Sequence, residues 1–113
     1  MGLAVVIGLQ GNDSKYFKSI ACAKHYAVHS GPESTRHSFD AEVSPRDLWE
    51  TYLPAFETLV KEGNVQQVMC AYNRFEGKPC CGSDKLLVNI LRNDWGYKSI
   101  VVSDCGAIND FYE

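Results

Sequence analysis

The sequence predicts an α/β fold, ordered β-α-β-α-β with a parallel sheet, and three observations carry the prediction. Short, near-continuous apolar runs recur at 19–23, 65–71 and 99–102. Between them lie two segments with apolar residues at helical spacing, each opened by a serine and closed by a glycine. Strands that lack polar alternation need cover on both faces, and helices that cross between successive strands supply it and make those strands parallel.

The first run, Ser19-Ile20-Ala21-Cys22-Ala23, leads into Lys24-His25-Tyr26. Residues 27–43 are polar and turn-rich, longer than an ordinary strand-to-helix connection, which marks a functional loop. Ser44 then reads as a helix N-cap, with Pro45 at the first helical position and Asp47 in the first turn. Leu48, Tyr52, Phe56, Leu59 and Val60 share one face, and Gly63 closes the helix. Pro54 should kink or break it.

Val65 to Ala71 forms the second strand and ends in Tyr72-Asn73. The turn segment Arg74-Phe75-Glu76-Gly77-Lys78-Pro79 follows. Ser83-Asp84 opens the second helix, whose apolar side is Leu86, Leu87, Ile90, Leu91 and Trp95, and Gly96 ends it. The third strand, Ser99 to Val102, presents Asp104.

At 113 residues the chain holds one domain at most, with an apolar share and modest charge that fit a globular protein. A net charge of -3 gives no reason to expect a nucleic-acid or membrane partner. No stretch approaches the roughly 20 apolar residues of a membrane span, and the N-terminus lacks the basic leader of a signal peptide. If the native protein is periplasmic or secreted, its signal lies outside this chain.

The five cysteines, Cys22, Cys70, Cys80, Cys81 and Cys105, contain no CxxC pair. Cys22, Cys70 and Cys105 sit in or just after apolar runs, where cysteine behaves as a small buried hydrophobe. Cys80 and Cys81 lie in a loop, and either could reach Cys70 in an oxidising compartment. His25 and His29 have i, i+4 spacing, and with His37 and Asp40 would be candidate metal ligands. Ser30-Gly31-Pro32 argues against the helix such a site requires, so no metal and no cofactor is expected.

The parallel topology places all three strand ends on one side. Lys24 and His25, Tyr72 and Asn73, and Asp104 therefore converge on one rim although they lie up to 80 residues apart. An aspartate after a strand can simply turn the chain or cap a helix. A carboxylate beside cations and hydroxyl donors, with no serine–histidine pair or glycine-rich phosphate loop, suits instead an aspartate nucleophile. Lys24 would hold Asp104 ionised, and the cations would serve as donors to sugar hydroxyls. That combination points to glycoside cleavage.

At these residues a family resemblance appears. ACAKHYAVHSGPE, RHSFDAEVSPRDLWETYLPAF, VMCAYNRFEGKPCCGS, LLVNILRNDWGY and VVSDCGAI resemble, in that order, the middle of the barrel domain of glycoside hydrolase family 3, the β-glucosidase and β-xylosidase family. Within it AVVIGLQG resembles the end of a helix before the lysine–histidine strand, although AVVIG alone reads as a strand. The resemblance implies that Asp104 is the nucleophile of a retaining mechanism, and that Lys24, His25 and Arg36 bind the sugar before the scissile bond. It also implies that Tyr72 stands beside the nucleophile. Cys105, where many β-glucosidases of the family carry tryptophan, and RHSFDAEVS lean toward the β-xylosidase-like branch.

A retaining glycosidase needs a second carboxyl group about 5–5.5 Å from the nucleophile. The resemblance implies that this acid/base comes from a downstream domain. Glu33, Glu42, Glu50, Glu57, Glu62 and Glu76 read as solvated, and Glu113 has no context. A (β/α)₈ barrel has eight strands and three are counted here, so residues 1–113 are expected to be part of such a barrel. The expected activity is cleavage of β-linked xylosides or glucosides by a protein supplying the other strands and the acid/base. The alternative is a non-catalytic sugar-binding or structural remnant of that domain.

Overall fold

The structure is a computed structural model that describes residues 1–13 and 15–111. It begins with helix α1 (Gly2–Gln10) and strand β1 (Cys22–Tyr26), followed by the short strand β2 (Asp40–Ala41). Helices α2 (Pro45–Asp47) and α3 (Pro54–Lys61) precede β3 (Gln67–Cys70). Strands β4 (Arg74–Phe75) and β5 (Lys78–Pro79), helix α4 (Asp84–Asp94) and β6 (Ile100–Ser103) complete the order.

The main sheet is parallel, as the alternation of apolar runs and amphipathic helices predicts, and its strand order is β1-β3-β6. Its register pairs Cys22 with Gln67 at one edge and Cys70 with Ser103 at the other. Three backbone steps from Ala23 to Tyr26 oppose two on β3, so β1 bulges where Lys24 and His25 sit. Bulges re-aim side chains and recur beside functional sites. The first strand thus begins and ends three residues later than the apolar run suggests, because cross-strand pairing and not hydropathy sets its bounds. Lys24 and His25 belong to the strand and do not follow it.

Both serine caps form: Ser44 Oγ accepts from the Asp47 N–H at 3.1 Å and Ser83 Oγ from the Leu86 N–H at 3.2 Å. The helix after Ser44 continues through Leu48–Tyr52 and breaks at Leu53, so Pro54 starts α3, where its missing N–H costs nothing. The left-handed residue after α3 is Asn64, with φ 49°, and not Gly63. Gly63 serves packing: a Cβ there would meet Leu59 O at 2.8 Å and Leu3 Cδ1 at 3.0 Å, so its absence lets α1 lie against α3. The helical reading of AVVIGLQG holds, and Gln10 pins α1 to the sheet by accepting from the Ala21 and Gln66 N–H groups.

The long loop contains an element that apolar periodicity does not reveal. Asp40–Ala41 pairs with β4, and β4 with β5, in a second small sheet whose hairpin turns at Glu76 and Gly77, both at positive φ. Two-residue strands leave no periodicity to read. The core joins the layers through Tyr26, fully buried against Phe56 and Trp95, with its hydroxyl donating to Leu86 O at 2.9 Å. Leu48, Leu53, Val68, Phe75, Leu86 and Leu91 are buried with it.

Cys70 is disulfide-bonded to Cys81, with Cα atoms 5.2 Å apart, which resolves the choice between Cys80 and Cys81. Cys22 is half-buried and Cys105 exposed, contrary to their expected burial, because Cys22 lies on an edge strand and Cys105 in a turn. The buried free thiol is Cys80, which burial pushes up to about 11. No helix among the described residues is long and apolar enough to cross a membrane.

Candidate active site

Asp104 follows the last residue of β6, and its N–H donates to Cys70 O at 3.2 Å, so the ladder runs one residue past the strand. The turn behind it closes through the Ala107 N–H to Asp104 O, with Gly106 at φ 72°. Asp104 Oδ1 accepts from the Cys105 N–H at 2.8 Å, which fixes the carboxylate. Oδ2 lies 3.5 Å from His25 Nε2. One oxygen therefore performs the turn-capping that any aspartate after a strand could perform, and the other faces across the sheet. Its side chain is 12% exposed, enough for access from one side.

His25 is the group set against this carboxylate. Burial lowers its pKa below the ordinary 6.5, and neighbouring His29 and Lys24 push the same way while Asp104 opposes. A neutral imidazole keeps one donor and one acceptor nitrogen, which matches a hydroxyl group. Lys24 is exposed and lines a shallow cleft with His25, His29 and Tyr52. No ion pair joins Lys24 to Asp104, so the neighbour expected from lysine is provided by histidine.

Tyr72, two residues beyond β3, donates its hydroxyl to Cys105 O at 2.6 Å. Partial burial and the Asp104 carboxylate hold its pKa above the usual phenol range, so the proton stays on. Arg36 lies with its guanidinium 5.4 Å from the Tyr72 ring centre and pairs with Glu33 at 2.8 Å. The structure thus brings Asp104, His25, Tyr72 and Arg36 to one rim, with Lys24 on its open side.

Asn73 belongs to the frame. It is 1% exposed, and Nδ2 reaches Arg74 O at 3.0 Å, Val28 O at 3.2 Å and Ala27 O at 3.4 Å, tying the end of β3 to the backbone just past His25. His37 and Asp110, unremarked as a pair in the sequence, also join the rim: Nδ1 and Oδ2 are 2.7 Å apart. Contacts across 73 residues leave no local pattern. Glu33, Glu42, Glu50, Glu62 and Glu76 are exposed and Glu57 is half-buried, with Glu33, Glu50, Glu57 and Glu76 in surface ion pairs, and Glu113 lies outside the described residues. Among the described residues no group of three or more His, Cys, Asp or Glu side chains could hold a metal ion.

A fixed carboxylate, a neutral imidazole, a protonated phenol and two cations suit a polyhydroxylated, uncharged ligand with an electrophilic carbon over Asp104. The chain is 63% identical over 115 residues to a xylan 1,4-beta-xylosidase of Xylanibacter ruminicola, covering all of this chain and 13% of that protein. It is 36% identical to probable beta-D-xylosidase 7 of Arabidopsis thaliana, covering 98% of this chain and 16% of that protein. A GH3 exo-beta-xylosidase (XlnD), solved with a xylobiose aziridine activity-based probe, superposes with a TM-score of 0.93 at 31% identity, over 99% of this chain and 15% of that one. The GH3 beta-glucosidase of Bifidobacterium adolescentis gives 0.80 at 38% identity, over 93% and 15%. The chain spans about one seventh of the length of these proteins, and residues 1–113 match the family described as glycosyl hydrolase family 3 N terminal domain. With the motifs, the sheet and the sequence in agreement along its whole length, the chain belongs to glycosyl hydrolase family 3.

Proposed function

We propose that this chain supplies the nucleophile and part of the sugar-binding side of a retaining β-glycosidase that acts on β-linked xylosides or glucosides. The observation that carries the reading is the Asp104 carboxylate at the C-terminal end of the third parallel strand, with one oxygen fixed by the Cys105 N–H and the other 3.5 Å from His25. In the first step a carboxylate oxygen of Asp104 bonds to the anomeric carbon as the glycosidic C–O bond breaks. The leaving oxygen takes a proton from an acid outside this chain. Water then attacks the same carbon, returns its proton to that base, and releases the sugar and the free carboxylate.

His25, Lys24 and Arg36 bind hydroxyls of the sugar, and Tyr72 keeps the carboxylate in place. The sheet β1-β3-β6 is read as three strands of a (β/α)₈ barrel, whose active sites lie at the C-terminal strand ends. The half-exposed face of β6, with Ile100 at 50% exposure, is where the remaining barrel packs. Relatives about seven times longer than the chain support that reading. The Xylanibacter and Arabidopsis relatives favour the xyloside over the glucoside.

In the protein that carries this segment, a xylobiose-configured aziridine should label one carboxylate, and peptide mass mapping should place the label on Asp104. Labelling elsewhere, or undiminished labelling and turnover of an aryl β-xyloside by folded Asp104→Asn, would refute the assignment. Sugar binding by the wild-type protein without turnover would establish the non-catalytic alternative.

A further inference from the structure

Tyr72 is held on both sides. On one, its hydroxyl donates to Cys105 O, within the turn that carries Asp104. On the other, the His37 ring packs against it with centroids 4.4 Å apart at 53°. His37 is itself fixed, since Nδ1 lies 2.7 Å from Asp110 Oδ2 and Nε2 accepts from Arg36 Nε at 3.3 Å. The backbone at Asp110 is tied in turn, because Arg74 Nη2 donates to Asp110 O at 3.4 Å. These contacts join the loops after β1, β3 and β6 into one closed circuit around Tyr72.

We propose that the Asp110–His37 pair is a positioning device that clamps the Tyr72 ring so that its hydroxyl stays on the Asp104 turn. The inference rests on the function proposed above. His37 is half-exposed, and the contacts that fix it are with Asp110, Arg36 and Tyr72, so its link to the Asp104 turn runs through Tyr72. As a single hydrogen bond on a half-exposed histidine the pair contributes only about 1 kcal/mol to stability. Its value is geometric: a nucleophile and its neighbours must hold their places to well under an ångström, and small displacements cost rate. The Nδ1 contact with Asp110 fixes the orientation of the ring as well as its position.

The test uses the protein that carries this segment, with an aryl β-xyloside as substrate. His37→Ala should lower kcat about tenfold with KM changed less than about threefold, the pattern of lost alignment and not of lost binding. Asp110→Asn should do the same more weakly. His37→Phe keeps the ring on Tyr72 and should recover most of the loss, which also provides a reading if His37→Ala fails to fold. In a Tyr72→Phe background the effect of His37→Ala should vanish, because the hydroxyl it positions is gone. Unchanged kcat in both His37→Ala and Asp110→Asn, or a full additive loss in the Tyr72→Phe background, would overturn the proposal. Asp104→Asn run alongside separates the two failures: an active Asp104→Asn refutes the nucleophile assignment, whereas an inactive one beside an unaffected His37→Ala refutes only the clamp.

Discussion

Asn73 offers a test in which two nearly isosteric side chains should behave in opposite ways. Its amide nitrogen faces three backbone carbonyls and carries two hydrogens, so it serves Arg74 O at 3.0 Å and Val28 O at 3.2 Å best, with Ala27 O at 3.4 Å marginal. Asn73 Oδ1 is buried with no hydrogen-bond partner among the described residues. Asn73→Ala removes two bonds that each contribute about 1 kcal/mol and leaves their acceptors buried, but it also removes the unpaired oxygen, so the net cost is about 1–3 kcal/mol. Asn73→Asp keeps the shape and turns a donor toward carbonyls into an acceptor. At neutral pH it buries an unpaired carboxylate against three carbonyl oxygens, which costs several kcal/mol, about 4 or more. The introduced carboxyl gains a folded-state pKa above its unfolded value of about 3.9. The folded state then binds more protons, so stability of this variant is greatest below the unfolded pKa and falls as pH rises toward the folded one. Urea unfolding of both variants at pH 7 and pH 4 checks it. An Asn73→Asp protein as stable as Asn73→Ala at pH 7, or no steeper in its pH dependence than wild type, would show that the amide does not brace the strand end by donation.

Three further outcomes follow from the site. Lys24→Ala and His25→Ala should each lower kcat/KM by about 10²-fold, the scale of a hydroxyl contact that strengthens toward the transition state, and unchanged kinetics in both would show the pair to be misplaced. Because burial sets the His25 pKa below 6.5, activity that depends on its neutral ring should persist above that pH and fall as pH drops through the lowered value, where the imidazolium would draw the Asp104 carboxylate; His25→Gln should lose that part of the acid limb. The same depressed pKa contributes stability present above 6.5 and lost on acidification. Leu86→Ala, at a fully buried position beneath Tyr26, should cost about 2–5 kcal/mol by thermal or urea unfolding while leaving KM near wild type, and a cost under 1 kcal/mol would contradict the packing described.

What the sequence discloses and what it conceals divide along physical lines. The three sheet strands and their parallel direction are legible because strands between crossover helices carry apolar runs, and the caps at Ser44 and Ser83 because a helix N-terminus needs a side-chain acceptor. Asp104 is legible because it interrupts an apolar run at its end. The bounds of β1 are not, since a bulge against β3 moves the strand onto polar residues that hydropathy assigns to a loop. Asn73 looks like a site residue at the rim, and only the backbone of residues 27 and 28 reveals it as a brace. The choice of Cys81 over Cys80 turns on where adjacent side chains point, which spacing alone leaves open.

The position of the Asp104 carboxylate is then a consequence of register. Parallel pairing of Met69 with Val102 and Cys70 with Ser103 leads directly to the Asp104 N–H bond to Cys70 O, so the carboxylate occupies the first residue past the ladder. A slip of one residue would turn the β6 side chains to the opposite face and bring Ser103 or Cys105 to that address. Several independent contacts oppose such a slip. Ser99 Oγ donates to Gln66 O at 2.8 Å and the Tyr97 hydroxyl to Ile100 O at 2.9 Å at the start of the strand, and Tyr72 holds the Cys105 carbonyl beyond its end. The alignment of Asp104 with His25 therefore draws on contacts at both ends of β6, most of which never touch the carboxylate. Side chains such as Ser99 and Gln66, at the end of the sheet away from the site, should accordingly influence turnover through register alone.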